Sequence, residues 1–171
     1  MKAPAKIILL IFITCISTYA QVSTFQDSLL DRMTGNWILK GTIAGQETTH
    51  DVTVEWILGQ QYIQLREIFR EKNEADLPAY EALVLIGWDS QLNKYACMWF
   101  DVTGGGGLNG KAIAHAERKG NEIPFLFKID RSVFHTTFVY DKVTDTWQWF
   151  MYGEENGNLQ PFARVMLTRK I

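Results

Sequence analysis

Cysteine is nearly missing from this chain: Cys15 and Cys97 are the two present in 171 residues. Cys15 lies in the N-terminal apolar segment. If that segment is removed, Cys97 stands alone and no intramolecular disulfide can form, even in an oxidising compartment. Histidine is scarce too. His50, His115 and His135 are the three, and none has His-x-His or His-x-x-x-His spacing. No metal site is expected from them. There is no Gly-x-Ser-x-Gly elbow, and Ser90 and Ser132 read as turn residues, so a serine nucleophile has little support. Basic blocks are absent: the formal charge is −2, with both signs scattered. Nucleic acid is therefore not an expected partner. No apolar run approaches the roughly 20 residues that a spanning helix needs.

What is present begins with Lys2 and Lys6, the apolar run Ile7 to Ile13, and the small-residue site Thr18-Tyr19-Ala20. Together they read as a secretory signal cleaved after Ala20. The expected protein is exported, periplasmic or secreted, without stable membrane insertion after cleavage. A retained anchor is the alternative. Lipidation at Cys15 fits poorly, because Phe12-Ile13-Thr14-Cys15 lacks the usual leucine and small residue. The organisation is then a signal at 1–20, a lead-in at 21–34 and one domain at 35–171. Phe25, Leu29, Leu30 and Met33 have the spacing of a short helical turn within the lead-in.

After Gly35 the pattern becomes short apolar strands broken by turn residues. Strands are expected at 37–43, 50–58, 62–70, 80–88, 95–102, 111–118, 123–129, 133–140, 146–152 and 162–169. The charged stretch Glu71 to Pro78 is a loop, and Asn156-Gly157 is a strong hairpin dipeptide. About ten strands with almost no helical pattern between them favour antiparallel hairpins. Closing the sheet removes its two exposed edges, which predicts an all-β, closed antiparallel up-and-down barrel. A two-sheet sandwich is the alternative. Pro124 and Pro161 are expected at bulges or strand ends. Cys97, in the apolar run Tyr95-Ala96-Cys97-Met98-Trp99, reads as a buried small hydrophobe.

Met33-Thr34-Gly35-Asn36-Trp37 resembles the Gly-x-Trp opening of calycin-type, lipocalin-like barrels. Glu55 to Gln64, Ala82 to Asp89 with Lys94-Tyr95, Trp99-Phe100-Asp101 and the closing Met166 to Lys170 extend the likeness. With these blocks the chain is similar to the uncharacterised bacterial calycin-like family catalogued as domain of unknown function 1579. The resemblance covers most of residues 35–171. It implies a barrel with an internal cavity and no particular activity. In such barrels Gly35 permits the sharp turn into the first strand. Trp37 plugs one end, with a cation from Arg169 or Arg164 over its ring. A plain core tryptophan is the alternative.

Barrel strands point every second residue inward, and an inward polar residue is informative because unpaired burial costs energy. Candidate ligand-binding residues are Trp56, Gln64, Arg66, Trp99, Asp101, His115, His135 and Trp149, with Trp147 and Tyr152 as further apolar walls. Asp101 and His115 form a candidate acid–base pair if their strands are neighbours. Gly104 to Gly107 lacks the Lys-Ser/Thr of a phosphate loop and reads as a flexible loop beside the barrel mouth. Nitrobindins bind haem through a histidine near the C-terminus, but no histidine follows His135, so no haem or other cofactor is expected. Fatty-acid-binding barrels hold a carboxylate with Arg-x-Tyr on the last strand. The matching Arg164-Val165-Met166 lacks the tyrosine, though Arg66 and Arg164 remain available to an anionic headgroup. The leading expectation is an exported protein that binds a small, largely apolar molecule, with an anionic end as an option. An Asp/His barrel enzyme and a ligand-free module filled by its own aromatics are the alternatives. Oligomeric state is left open.

Overall fold

The structure is a computed structural model that describes residue 25 and residues 27–104, 112–129 and 132–171. The segment read as a secretory signal lies outside the described residues, as do residues 105–107 of the glycine run.

The described residues form a short helix and ten strands. They are α1 (Ser28–Met33), β1 (Gly35–Ile43), β2 (Gln46–Ile57), β3 (Tyr62–Phe69), β4 (Glu81–Asp89), β5 (Lys94–Asp101), β6 (Ile113–Ala116), β7 (Glu122–Ile129), β8 (Ser132–Asp141), β9 (Thr146–Glu155) and β10 (Asn158–Arg169). Each strand pairs antiparallel with the next, and β1 pairs with β10, so the sheet closes into a barrel. The expected all-β closed barrel is the fold observed.

Period-two alternation runs round the whole wall. Trp37 and Leu39 of β1, Val52 and Val54 of β2, and Ile63 and Leu65 of β3 are buried. The same parity buries Val84 and Ile86, then Ala114 and Ala116, then Phe125 and Phe127. Trp147, Trp149 and Met151 of β9 face Val165 and Leu167 of β10 in the same core.

Several boundaries differ from the sequence reading; β9 runs on to Glu155 and β10 begins at Asn158 rather than Phe162. β2 starts at Gln46, because Ala44 and Gly45 both adopt positive φ (49° and 79°) and make a two-residue hairpin turn that Ala-Gly signals weakly. β6 spans four residues, shorter than expected. Pro124 lies inside β7 opposite Thr137 rather than at a bulge or an end. It is tolerated because β7 pairs with the short β6 at the single register position His115–Leu126, leaving no ladder bond for Pro124 to break. Pro161 does sit at a register shift, between Pro161 and Ala163.

One barrel end is closed by α1. The Asp27 carboxylate caps the helix by accepting from the Leu29 and Leu30 amides at 2.8 and 2.9 Å. Leu29, Leu30 and Met33 are buried beneath it. Such side chains contribute roughly 1.5–3 kcal/mol each on burial, before ordering entropy. Phe25 stacks on Trp88 at 5.4 Å between ring centres, before the helix and not within it. Trp37 Nε1 donates to the Met33 carbonyl at 2.7 Å, tying the first strand to the helix. Arg169 supplies the cation over Trp37, 3.8 Å from the ring centre, while Arg164 lies over Phe150 at 5.4 Å. Gly35 has φ +125°, and a Cβ there would stand 2.5 Å from Arg169 Nη1. Glycine is thus needed for both its backbone angle and the passage of the arginine.

Candidate functional site

The opposite end of the barrel holds a cavity of about 500 Å³. It is bounded by the start of β2, the ends of β3 and β5, the first residues of β8 and the region of Phe162 on β10. Phe69, Trp99, Phe127 and Phe134 give it apolar walls, and Met151 and Ala112 complete them. Thr103, at the start of the glycine run, lies at its rim.

The polar lining is concentrated. Thr48 and His50 share the inward face of β2, two residues apart. Thr48 Oγ1 is hydrogen-bonded to His50 Nε2, and His50 Nδ1 lies against Glu67 Oε1 of β3. His50 and Glu67 are almost wholly buried, at 3% and 1% exposure. Thr136 of β8 is fully buried and also lines the cavity. Of the cavity-wall atoms, His50 Nδ1, Glu67 Oε2 and Thr136 Oγ1 make no hydrogen bond, although His50 Nδ1 lies at ion-pair distance from Glu67 Oε1. The imidazole stacks on Phe69 at 4.6 Å, which fixes its plane.

Nearby, Tyr80 precedes β4, and Asp101 ends β5. Burial pushes the Tyr80 hydroxyl well above the ordinary phenol range, and the negative charges of Glu67 and Asp101 add to the shift. Tyr80, Trp99 and Asp101 all line the cavity on this side. Asp101 accepts from the Thr103 amide at 2.8 Å and from the Thr103 hydroxyl at 2.5 Å.

The residues expected from sequence divide sharply. Trp99 and Asp101 line the cavity. Trp149 lies deeper, in the core, 5.2 Å from the Trp99 ring and stacked on Phe138 at 4.6 Å. Trp147 is also fully buried core, and Tyr152 has the outward parity of β9. Trp56 belongs to the closed end, where its indole donates to Asp31 at 2.8 Å. Gln64 and Arg66 point outward: Gln64 meets Glu55 at 3.4 Å, and Arg66 forks onto Glu81 at 2.7 and 2.9 Å. Arg164 is likewise outward, over Phe150.

The Asp101–His115 pair is not assembled. His115 sits opposite Ala96 in the β5–β6 register and faces away from Ala114, the buried neighbour. Its Nε2 meets Asp89 at 3.2 Å, outside the barrel. His135 is also outside, with Nε2 2.9 Å from Glu154. The histidine that faces the cavity is His50, and Glu67, Thr136 and Tyr80 were missed with it. A signal existed: Glu67 continues the parity of Ile63 and Leu65, and a carboxylate at a core position of a strand is unusual.

Cys97 is a fully buried free thiol, and burial pushes it far above its ordinary range. It behaves as the packing residue expected. Among the described residues, no three His, Cys, Asp or Glu side chains converge as a metal site would require. A second depression, of about 820 Å³, lies against α1, but its charged lining of Arg32, Arg118 and Lys142 is exposed. No protein-family model matches the chain, and a search of curated proteins finds no match.

Proposed function

We propose that this is an exported binding protein that holds a small, largely apolar molecule in the open end of its barrel. The observation that carries the reading is the cavity of about 500 Å³, which falls within the roughly 300–1,000 Å³ range of small-molecule sites. Aromatic walls with a few polar groups set among them are the usual composition of such sites. The resemblance to calycin-like barrels, whose members enclose a cavity, supports the same reading. A barrel filled by its own side chains would leave no such space, which weighs against the ligand-free module. Arg66 and Arg164 point outward, so they do not support the anionic option.

An acid–base enzyme is the second reading. It draws on His50, held between a hydroxyl and a carboxylate at the cavity wall, rather than on Asp101 with His115. Native mass spectrometry of the protein purified from its source tests the first reading. A co-purifying small molecule, released on unfolding, is the expected result. Protein that is consistently free of any such mass, with its cavity intact, would count against it.

A further inference from the structure

A buried, unpartnered carboxylate oxygen and the charge of the lining bear on the polarity of the cavity's occupant. Part of the polar wall is turned inward on the protein itself. The Thr48 hydroxyl is hydrogen-bonded to His50 Nε2, and His50 Nδ1 faces Glu67 Oε1 at ion-pair distance, an arrangement that favours a proton on Nδ1. The opposite tautomer would set a nitrogen lone pair against a carboxylate oxygen. Left unpartnered are Glu67 Oε2, a carboxylate oxygen that can only accept and is nine-tenths or more buried, and Thr136 Oγ1, which can accept as well as donate. The unpartnered indole N–H of Trp149 is not on the cavity wall.

Charge points the same way. The carboxylates of Glu47, Glu67 and Asp101 line the cavity, and among the described residues no lysine or arginine does. A buried carboxylate with a free lone pair is costly unless a donor, best a charged one, meets it. The surrounding faces of Trp99, Phe127 and Phe134 favour a cation as well.

We propose that the cavity takes an apolar molecule bearing a protonated amine, with the ammonium group seated against Glu67 and Thr136 and the apolar part along the aromatic wall. This rests on the binding reading above and adds the class of ligand.

The test compares three eight-carbon probes on the purified protein at neutral pH by titration calorimetry: octylamine, octanol and octanoate. Octylamine is expected to bind at least about tenfold tighter than octanol, a 1.4 kcal/mol difference, with octanoate the weakest. Glu67→Gln is expected to erase the advantage of the amine while leaving octanol binding in place. Thr136→Val is expected to reduce that advantage. If octanol or octanoate binds as tightly as the amine, the amine assignment fails and the binding reading stands. If none of the three binds, both fail. The ranking on the unsubstituted protein decides the matter even if a variant does not fold.

Discussion

His50 Nδ1 lies against Glu67 Oε1 on the neighbouring strand, and both side chains are almost wholly buried. The two residues sit where Val or Leu would continue the core parity of β2 and β3. A pair so placed makes a weak contribution to stability, because the desolvation of its members offsets their attraction.

Removing one partner is the damaging change. Glu67→Ala leaves the buried His50 ring nitrogen without its carboxylate and is expected to destabilise the fold by about 1–3 kcal/mol in urea denaturation. The double change His50→Leu with Glu67→Leu is expected to match or exceed the original stability while losing the polar anchor. A double variant less stable than Glu67→Ala would show that the pair is structural.

At the closed end, Arg169 covers Trp37 and also donates to the Thr34 carbonyl at 2.5 Å and the Arg32 carbonyl at 3.0 Å. It is half-exposed, which limits what each contact contributes. Arg169→Ala is expected to lower stability by about 1–2 kcal/mol, and Arg169→Lys to recover less than half of that, since a lysine cannot fork between two carbonyls while covering the ring. Equal stability of Arg169→Ala and the unsubstituted protein would remove the plug from the account.

Asp51 is the most strongly lowered of several carboxylates, Asp89, Asp141 and Asp145 being held below their ordinary range as well. Asp51 is held at about 2, below its ordinary 3.8, first by hydrogen bonds from Arg70 and then by Lys170. Its ionic contribution is complete above the ordinary value and is lost as pH falls through about 2. The pair is more than a third exposed, so solvent screening keeps the effect small. Thermal unfolding followed between pH 4 and pH 2 is expected to fall less steeply for Asp51→Asn than for the unsubstituted protein. Identical slopes would assign the acid response elsewhere.

The outward histidines give a further check. His115→Ala and His135→Ala remove groups whose partners, Asp89 and Glu154, are on the outer surface. Binding of an apolar probe is expected to be unchanged in both, by fluorescence titration. A clear loss in either would place the binding surface outside the barrel.

The barrel was legible because alternation and turn residues are local signals. Asn156-Gly157, both at positive φ, turns β9 into β10 as its sequence predicts. Gly35 and Trp37 marked the closed end, and Arg169 was identifiable as their cation. The site was less legible, because facing depends on register and on strand starts. Missing the Ala44-Gly45 turn left Thr48 out of β2 and hid its place beside His50. Arg66 sits one residue before Glu67, so choosing the wrong parity on β3 sends the arginine inward and the glutamate outward. Likewise His115 and Ala114 exchange faces with a one-residue slip. That Asp101 meets Tyr80, across the β4–β5 hairpin, follows from packing that no spacing rule anticipates.

Filling the cavity tests the central claim most directly. Ala112 is buried and lines the cavity, so Ala112→Phe places a ring into the space a ligand would take. Nile red titrated against both proteins is expected to bind the unsubstituted barrel at one site and to bind Ala112→Phe at least about tenfold more weakly, with thermal stability retained. Equal binding to both proteins would contradict the assignment of the barrel cavity as the binding site.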